Sequence, residues 1–208
     1  MKTTVRIVAG SLRGRKLTVQ VNANLRPTPQ MVREALFSLL GNAVPGRPFY
    51  DVFAGTGVVG LEALSRGASS ATFVERDFRL SEGIERNLRA FHVADAATVA
   101  RADVYRWAER WQPPAEPVTV FLSPPFADFA RRPEDMLRLV SAVQQKAHPD
   151  SVLVLQAEKA DVLDELPQRE AWEERRYGRN LLLIWVKELE AQAPPTARTE
   201  EAQERPND

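Results

Sequence analysis

The chain has 208 residues, 44% apolar and 27% charged, with a formal net charge of zero, a length that suits one sizeable core better than two domains. It contains no cysteine, which excludes disulfides, thiolate metal sites, iron–sulfur clusters and every mechanism built on a cysteine nucleophile, methylation at pyrimidine carbon 5 among them. No apolar run is long enough to cross a bilayer and no charged-then-apolar leader follows Met1, so a cytoplasmic protein with no membrane association is expected. The only histidines, His92 and His148, each fall near an expected helix end. They are read as surface residues, and no metal site is expected.

The neutral total conceals a division of charge. From Met1 to Arg47 there are eight Lys or Arg residues against a single acid, Glu34. Clustered cations of this kind suit a docked polyanion, because their binding releases phosphate counterions; a solvated basic face is the alternative. Val5–Ala9 and Leu17–Val21 alternate as two short strands around a glycine-bracketed basic turn, Gly10-Ser11-Leu12-Arg13-Gly14-Arg15-Lys16, which predicts a hairpin with a cationic tip. Thr28 is placed to cap a helix starting at Pro29, in which Val32, Ala35, Leu36, Leu39 and Leu40 share a face until Gly41 ends it. Residues 1–47 are thus expected to form a basic extension, 48–188 a catalytic domain, and 189–208, rich in Pro, Glu, Thr and Ala, a disordered tail.

Beyond Pro45-Gly46-Arg47-Pro48 short apolar runs alternate with amphipathic stretches, as in a doubly wound sheet. Expected strands are Phe49–Phe53, Ala71–Glu75, Thr98–Arg101, Val118–Ser123, Ser151–Ala157, Glu170–Arg176 and Leu181–Lys187. Helices are expected at Val58–Arg66, Arg79–Phe91, Val104–Arg110, Pro133–Ala147 and Asp161–Leu166. Only Tyr177-Gly178-Arg179-Asn180 separates the last two strands, so these should form an antiparallel hairpin. A seven-stranded, mostly parallel α/β sheet closed in this way is the architecture of class I S-adenosylmethionine-dependent methyltransferases, here with an N-terminal β-hairpin and helix added.

The loop Asp51-Val52-Phe53-Ala54-Gly55-Thr56-Gly57 follows a strand and opens a helix. Gly55, Gly57 and Gly60 also spell the dinucleotide fingerprint, with Glu75 at the offset of a ribose contact, so a nicotinamide enzyme stays open on this feature alone. Either ligand needs glycines for close backbone approach and free N–H groups at a helix start. Asp51 favours the methyl donor, since a carboxylate there suits the cationic methionine part and would repel a pyrophosphate. Asp103, after the third strand, is placed to accept from an adenine amine, although it could equally be a helix cap; Glu75 would accept from the ribose or pair with Arg76. Phe53, Ala54, Thr56, Arg76 and Val104 complete the candidate cofactor set. Glu62 reads as a first-turn charge favoured by the helix dipole.

Ser123-Pro124-Pro125-Phe126 directly follows the fourth strand. Two prolines make a stiff turn short of donors, leaving carbonyls as acceptors. An amine that attacks a methyl group must shed a proton, and an oxygen at position 123 with the Pro124 carbonyl could hold its hydrogens. Phe126 would stack on a flat base, a contact worth roughly 1–3 kcal/mol. These four are the candidate catalytic residues.

Arg6-Ile7-Val8-Ala9-Gly10, Arg13-Gly14-Arg15-Lys16-Leu17, Leu25-Arg26-Pro27-Thr28, Val32-Arg33-Glu34-Ala35-Leu36-Phe37, the glycine loop itself, Gly60-Leu61-Glu62-Ala63-Leu64-Ser65-Arg66-Gly67-Ala68 and Tyr177-Gly178 resemble the bacterial 16S rRNA guanine-N2 methyltransferase family, over nearly the whole chain up to Lys187. The resemblance implies a monomer that uses S-adenosylmethionine to methylate the exocyclic amine of a guanine in 16S rRNA or a small-subunit assembly particle. It further implies that Arg6, Arg13, Arg15, Lys16, Arg26, Thr28 and Arg33 grip the RNA. The family has Asp where this chain has Ser123, a neutral and weaker acceptor; serine occurs there in enzymes that methylate the cytosine amine. Alternatives are therefore an amino methyltransferase acting on cytosine or adenine in RNA or DNA, and a catalytically weakened RNA-binding assembly factor.

Overall fold

The computed structural model describes residues 2–20 and 27–188. Strands β1 (Lys2–Arg6) and β2 (Lys16–Gln20) pair antiparallel with Arg6 opposite Lys16. Helix α1 (Gln30–Leu40) follows. A single sheet is then built from β3 (Pro48–Val52), β4 (Ser70–Val74), β5 (Ala97–Ala100), β6 (Thr119–Leu122), β7 (Val152–Ala157), β8 (Glu173–Tyr177) and β9 (Asn180–Val186). Its helices are α2 (Val58–Ser65), α3 (Phe78–Ala90), α4 (Val104–Arg110), α5 (Asp128–Arg131) and α6 (Pro133–Lys146).

The order in the sheet is β5-β4-β3-β6-β7-β9-β8. The strands from β5 to β7 are parallel, and β9 runs antiparallel between β7 and β8. The chain winds outward from β3 in both directions, which makes the carboxyl ends of β3 and β6 the switch point where open α/β sheets bind ligands. Alternation along the strands divides the core between the two faces. Phe121, Val154 and Leu182 pack with α1, α2, α3 and the hairpin on one side. Val120, Leu122, Leu153, Leu155 and Leu183 pack with α4 and α6 on the other. The basic extension thus shares the first core, through Ile7, Leu17, Val32 and Leu36, with Phe49, Leu61 and Phe73 of the sheet domain. Among the described residues no helix is long and apolar enough to cross a membrane.

Four expectations change. The first strand ends at Arg6 rather than reaching Ala9, because the following backbone turns to the end of α2: Ser11 N–H donates to the Ser65 carbonyl at 2.7 Å and Leu12 N–H to Ser65 Oγ at 2.9 Å. Thr28 does not cap α1, whose N-cap is Pro29 without a side-chain bond; the Thr28 hydroxyl goes instead to Gln156 Oε1, 3.1 Å away. Asp161–Glu165 is a 3₁₀ turn, not an α-helix, since Leu166 stands before Pro167 and is held extended. The strand expected from Glu170 starts only at Glu173, after a second 3₁₀ turn over Arg169–Ala171. The short helix α5 was not foreseen: one turn between Pro125 and Pro133 is too brief to show a period. Val21 and Arg26, and the expected tail from residue 189, lie outside the described residues.

Candidate active site

Four adjacent parallel strands deliver the candidate residues to one edge of the sheet. β3 ends in Asp51 and the glycine loop, β4 runs into Glu75, β5 leads to Asp103, and β6 runs into Ser123. The loop is tightly wound: Phe53, Gly55 and Gly57 all have positive φ, at 64°, 54° and 72°. Gly57 is the left-handed N-cap of α2, and a Cβ on it would come within 2.8 Å of Ile84. At Gly60 a Cβ would lie 2.3 Å from the Phe73 ring, so this glycine sets how closely α2 lies on β4. Phe53, an unusual residue for a left-handed position, packs edge-on against Tyr105 with ring centroids 5.7 Å apart. Ala54 and Thr56 are buried in the loop, and Ala54 N–H is held by the Val74 carbonyl.

Two carboxylates brace the loop from beneath and from the side. Asp51 is buried and its Oδ2 accepts from Gly60 N–H at 2.8 Å. Its part here is to fix the start of α2 rather than to stand open in the cleft. Burial pushes its carboxyl up to about 7, against the lowering effect of the Gly60 bond, and the charge of Glu75 adds to the rise. Glu75 accepts from Gly55 N–H through Oε2 and from Asp77 N–H through Oε1, both at 2.8 Å. A carboxylate has about four acceptor positions, so Glu75 keeps lone pairs for a hydroxylated ligand and is not spent on Arg76, which is exposed. Asp103 does cap α4, accepting from Tyr105 N–H and Arg106 N–H through the single oxygen Oδ1. Val104 is buried in the second core. The glycine loop, with Glu75 and Asp103 at the ends of the next two strands, is an arrangement that would accommodate an adenosine-bearing cofactor.

On the acceptor side, Ser123 N–H donates to the Val52 carbonyl at 3.1 Å, which sets the turn against the strand that leads into the glycine loop. Pro124 is buried, while Pro125 and Phe126 are exposed, Phe126 at 40%. The Pro125 carbonyl accepts from Asp128 N–H at 2.8 Å, whereas the Pro124 carbonyl accepts no backbone hydrogen bond among the described residues. Ser123 Oγ is 3.2 Å from Gln156 Oε1. Across the cleft, Tyr105 donates to Asp128 at 2.9 Å and lies under the Arg132 guanidinium, 3.9 Å from its ring centroid. Burial first, then the Asp128 bond, raises the Tyr105 phenol far above its ordinary range. It therefore stays a donor and ties α4 to the segment after the Pro-Pro-Phe turn.

The cationic residues divide. Arg6, Arg13, Arg15 and Lys16 are exposed on the hairpin, and Arg15 also donates to the Ala90 carbonyl and lies over the Phe91 ring. Arg33 is a correction. Its side chain is 2% exposed, with Nε on Glu62 Oε2 at 3.0 Å, Nη1 on the Thr28 carbonyl and Nη2 on the Arg6 carbonyl, so it cannot reach RNA. Glu62 is likewise no dipole charge on a helix surface: it is fully buried, with Arg66 on its other oxygen at 2.9 Å. His92 and His148 are both exposed. Sequence reasoning missed Gln156, Asn180, Tyr105 and Asp128. For Gln156 a signal existed, a polar residue in an otherwise apolar buried strand; the others carry none. A cleft of about 480 Å³, lined by Trp111, Pro113, Lys146 and His148 among others, lies at the opposite end of the sheet and contains none of these groups.

A five-stranded parallel core with its glycine loop at the first carboxyl end and an antiparallel strand inserted next to the edge defines the fold of class I S-adenosylmethionine-dependent methyltransferases. The sequence pattern of the family described as Conserved hypothetical protein 95 matches residues 5–186, and the chain belongs to that family. Ribosomal RNA small subunit methyltransferase D of Escherichia coli (strain K12) is 39% identical over 122 residues, which are 59% of this chain and 60% of that protein; the match thus spans well under the whole length of that curated relative. The solved structure of the E. coli protein yhhF superposes with a TM-score of 0.74 at 28% identity, covering 90% of this chain and 100% of that one. The 16S rRNA N2 G1207 methyltransferase (RsmC) of T. thermophilus, solved with AdoMet and guanosine, has a TM-score of 0.67 at 21% identity over 90% of this chain and 50% of that one, a likeness of fold alone.

Proposed function

We propose that this protein is an S-adenosylmethionine-dependent methyltransferase that methylates the exocyclic N2 amine of a guanine in small-subunit rRNA. The observation that carries the proposal is the bond from Ser123 N–H to the Val52 carbonyl, which seats an acceptor turn with an exposed aromatic directly beside the glycine loop. Bound there, the cofactor would supply an electrophilic methyl group on a sulfonium sulfur. Gly55 to Gly57 and Asp51 would shape its cradle, while Glu75 and Asp103 would accept from ribose and adenine. Phe126 would stack on a base drawn out of its helix, since the amine is inaccessible to the enzyme while the base is paired. Ser123 Oγ and the Pro124 carbonyl would accept from the amine and aim its lone pair. The exposed cations Arg6, Arg13, Arg15 and Lys16 supply the phosphate contacts that such a substrate demands.

The name of the E. coli relative supports a small-subunit rRNA substrate, and such a substrate would be met in the cytoplasm. No metal and no covalent enzyme adduct are required by this chemistry. Calorimetry with S-adenosylmethionine, followed by transfer of labelled methyl to small-subunit RNA and analysis of the modified nucleoside, tests the proposal. The expected result is cofactor binding and formation of N2-methylguanosine. A methylated cytidine or adenosine would move the enzyme to another amino substrate. Cofactor binding without transfer, by both the wild type and Ser123→Asp, would leave an RNA-binding assembly factor.

A further inference from the structure

Three segments far apart in the chain converge on one buried amide. Gln156, 3% exposed in β7, has Ser123 Oγ at 3.2 Å and Thr28 Oγ1 at 3.1 Å, both on its Oε1. Its Nε2 donates to Asn180 Oδ1 at 2.9 Å, at the start of β9. The Thr28 end is itself held in place, because Arg33 Nη1 donates to the Thr28 carbonyl at 2.7 Å. A hydroxyl has one proton and two acceptor lone pairs. Whichever direction its proton takes decides what it offers to everything else.

Resting on the methyl-transfer reading above, we propose that Gln156 is a positioning residue that turns Ser123 into an acceptor: by taking the hydroxyl proton on Oε1, it leaves both Ser123 lone pairs facing the substrate amine. In this arrangement the Gln156 NH₂ donates to Asn180 Oδ1, on the side away from the two hydroxyls. Thr28 fills the second lone pair of Oε1, so the amide oxygen is saturated and cannot compete for the substrate's protons. A neutral serine thereby does what a carboxylate would otherwise do, holding the amine hydrogens while the nitrogen lone pair forms the new N–C bond. As the S–C bond breaks, the surplus amine proton departs to solvent. With the amide turned over, the NH₂ would donate to both hydroxyls, and Ser123 would present a proton instead, suiting a ring nitrogen rather than an amine.

Gln156→Met, which keeps the volume of a buried side chain, and Gln156→Glu, which keeps only acceptor oxygens, separate the possibilities. Asn180 is half-buried and can turn its own amide to donate to a glutamate. Methyl transfer to small-subunit RNA is followed for kcat and KM, with S-adenosylmethionine affinity measured by calorimetry and the melting temperature of the cofactor-free protein recorded. Gln156→Met should lower kcat roughly tenfold to a hundredfold, the loss typical of a partner that orients a functional group, with cofactor affinity unchanged and KM for RNA little altered. Gln156→Glu should restore most of it. Ser123→Ala should cost activity in the wild-type background and almost nothing further in Gln156→Met, because the two act as one unit.

Independent, multiplying losses for Ser123→Ala and Gln156→Met would overturn the proposal, as would a Gln156→Glu variant as weak as Gln156→Met. The same holds if the three variants share one fall in melting temperature and cofactor affinity, the mark of a purely structural residue. If the wild type methylates no nucleobase amine, the function reading itself fails and the proposal with it. That outcome is told apart by the wild-type measurement alone.

Discussion

The two sides of the active cleft are held by different materials. On the cofactor side the chain is shaped by its own backbone: positive φ at Phe53, Gly55 and Gly57, with the N–H groups of Gly55 and Gly60 caught by Glu75 and Asp51. On the acceptor side the turn is stiffened by two prolines and connected outward through side chains, Ser123 to Gln156 and Tyr105 to Asp128. A backbone cradle admits few substitutions, because any Cβ at Gly57 or Gly60 meets a packed neighbour. Side-chain scaffolds can change what they offer by one residue. A change such as Ser123→Asp would therefore alter what the turn offers without disturbing its backbone, whereas Gly57 and Gly60 admit no side chain.

The contrast can be broken most forcefully at Glu62, on the helix that opens at the loop. Glu62→Ala would leave the buried Arg33 without its ion partner and the half-buried Arg66 without one of its contacts, at a cost of about 3–5 kcal/mol of folding stability, read as a large fall in denaturation midpoint. It should also weaken cofactor binding, because α2 begins at Gly57. Phe126→Ala tests the other side. With Phe126 exposed, folding stability should move by no more than about 0.5 kcal/mol, whereas binding of the target base should weaken by roughly 1–3 kcal/mol, seen in the affinity for RNA with cofactor affinity intact. Loss of cofactor binding in that variant would erase the distinction between the two sides.

A third test is one of pH. Folded Asp51 keeps its proton up to about pH 7, against 3.8 for the unperturbed carboxyl. Between those values the folded state binds more proton than the unfolded chain, so stability falls as pH rises through that window and levels off above it. Asp51→Asn retains an oxygen for Gly60 N–H and does not titrate. Melting the two proteins at about pH 5 and about pH 8 should show a larger downward shift in the wild type.

What could be read from the sequence was whatever depends on local pattern. The apolar run of Val152–Ala157 and the turn chemistry of Gly178 led to the right strands, and with them to the strand ends where Gly55, Glu75, Asp103 and Ser123 collect. Capping chemistry at Asp103 was legible too, since it needs only the next three residues. Partnerships across the fold were not. Arg33 looked like a surface cation until Glu62, 29 residues away, was found opposite it. Thr28 looked like a cap until Gln156, 128 residues away, claimed its hydroxyl. Charge and hydroxyl groups have no local signature for burial, so their roles emerge only when distant segments are brought together.

The junction of Gly10 with the end of α2 has a mechanical meaning. A Cβ at Gly10 would fall 1.8 Å from the Ser65 carbonyl oxygen, so hairpin and helix meet backbone to backbone with nothing compressible between them. Helix α2 is eight residues long, a strut of about 12 Å at 1.5 Å per residue, with the basic hairpin seated on one end and the glycine loop on the other. A polyanion held by the hairpin would therefore bear on one end of a strut whose other end opens the glycine loop.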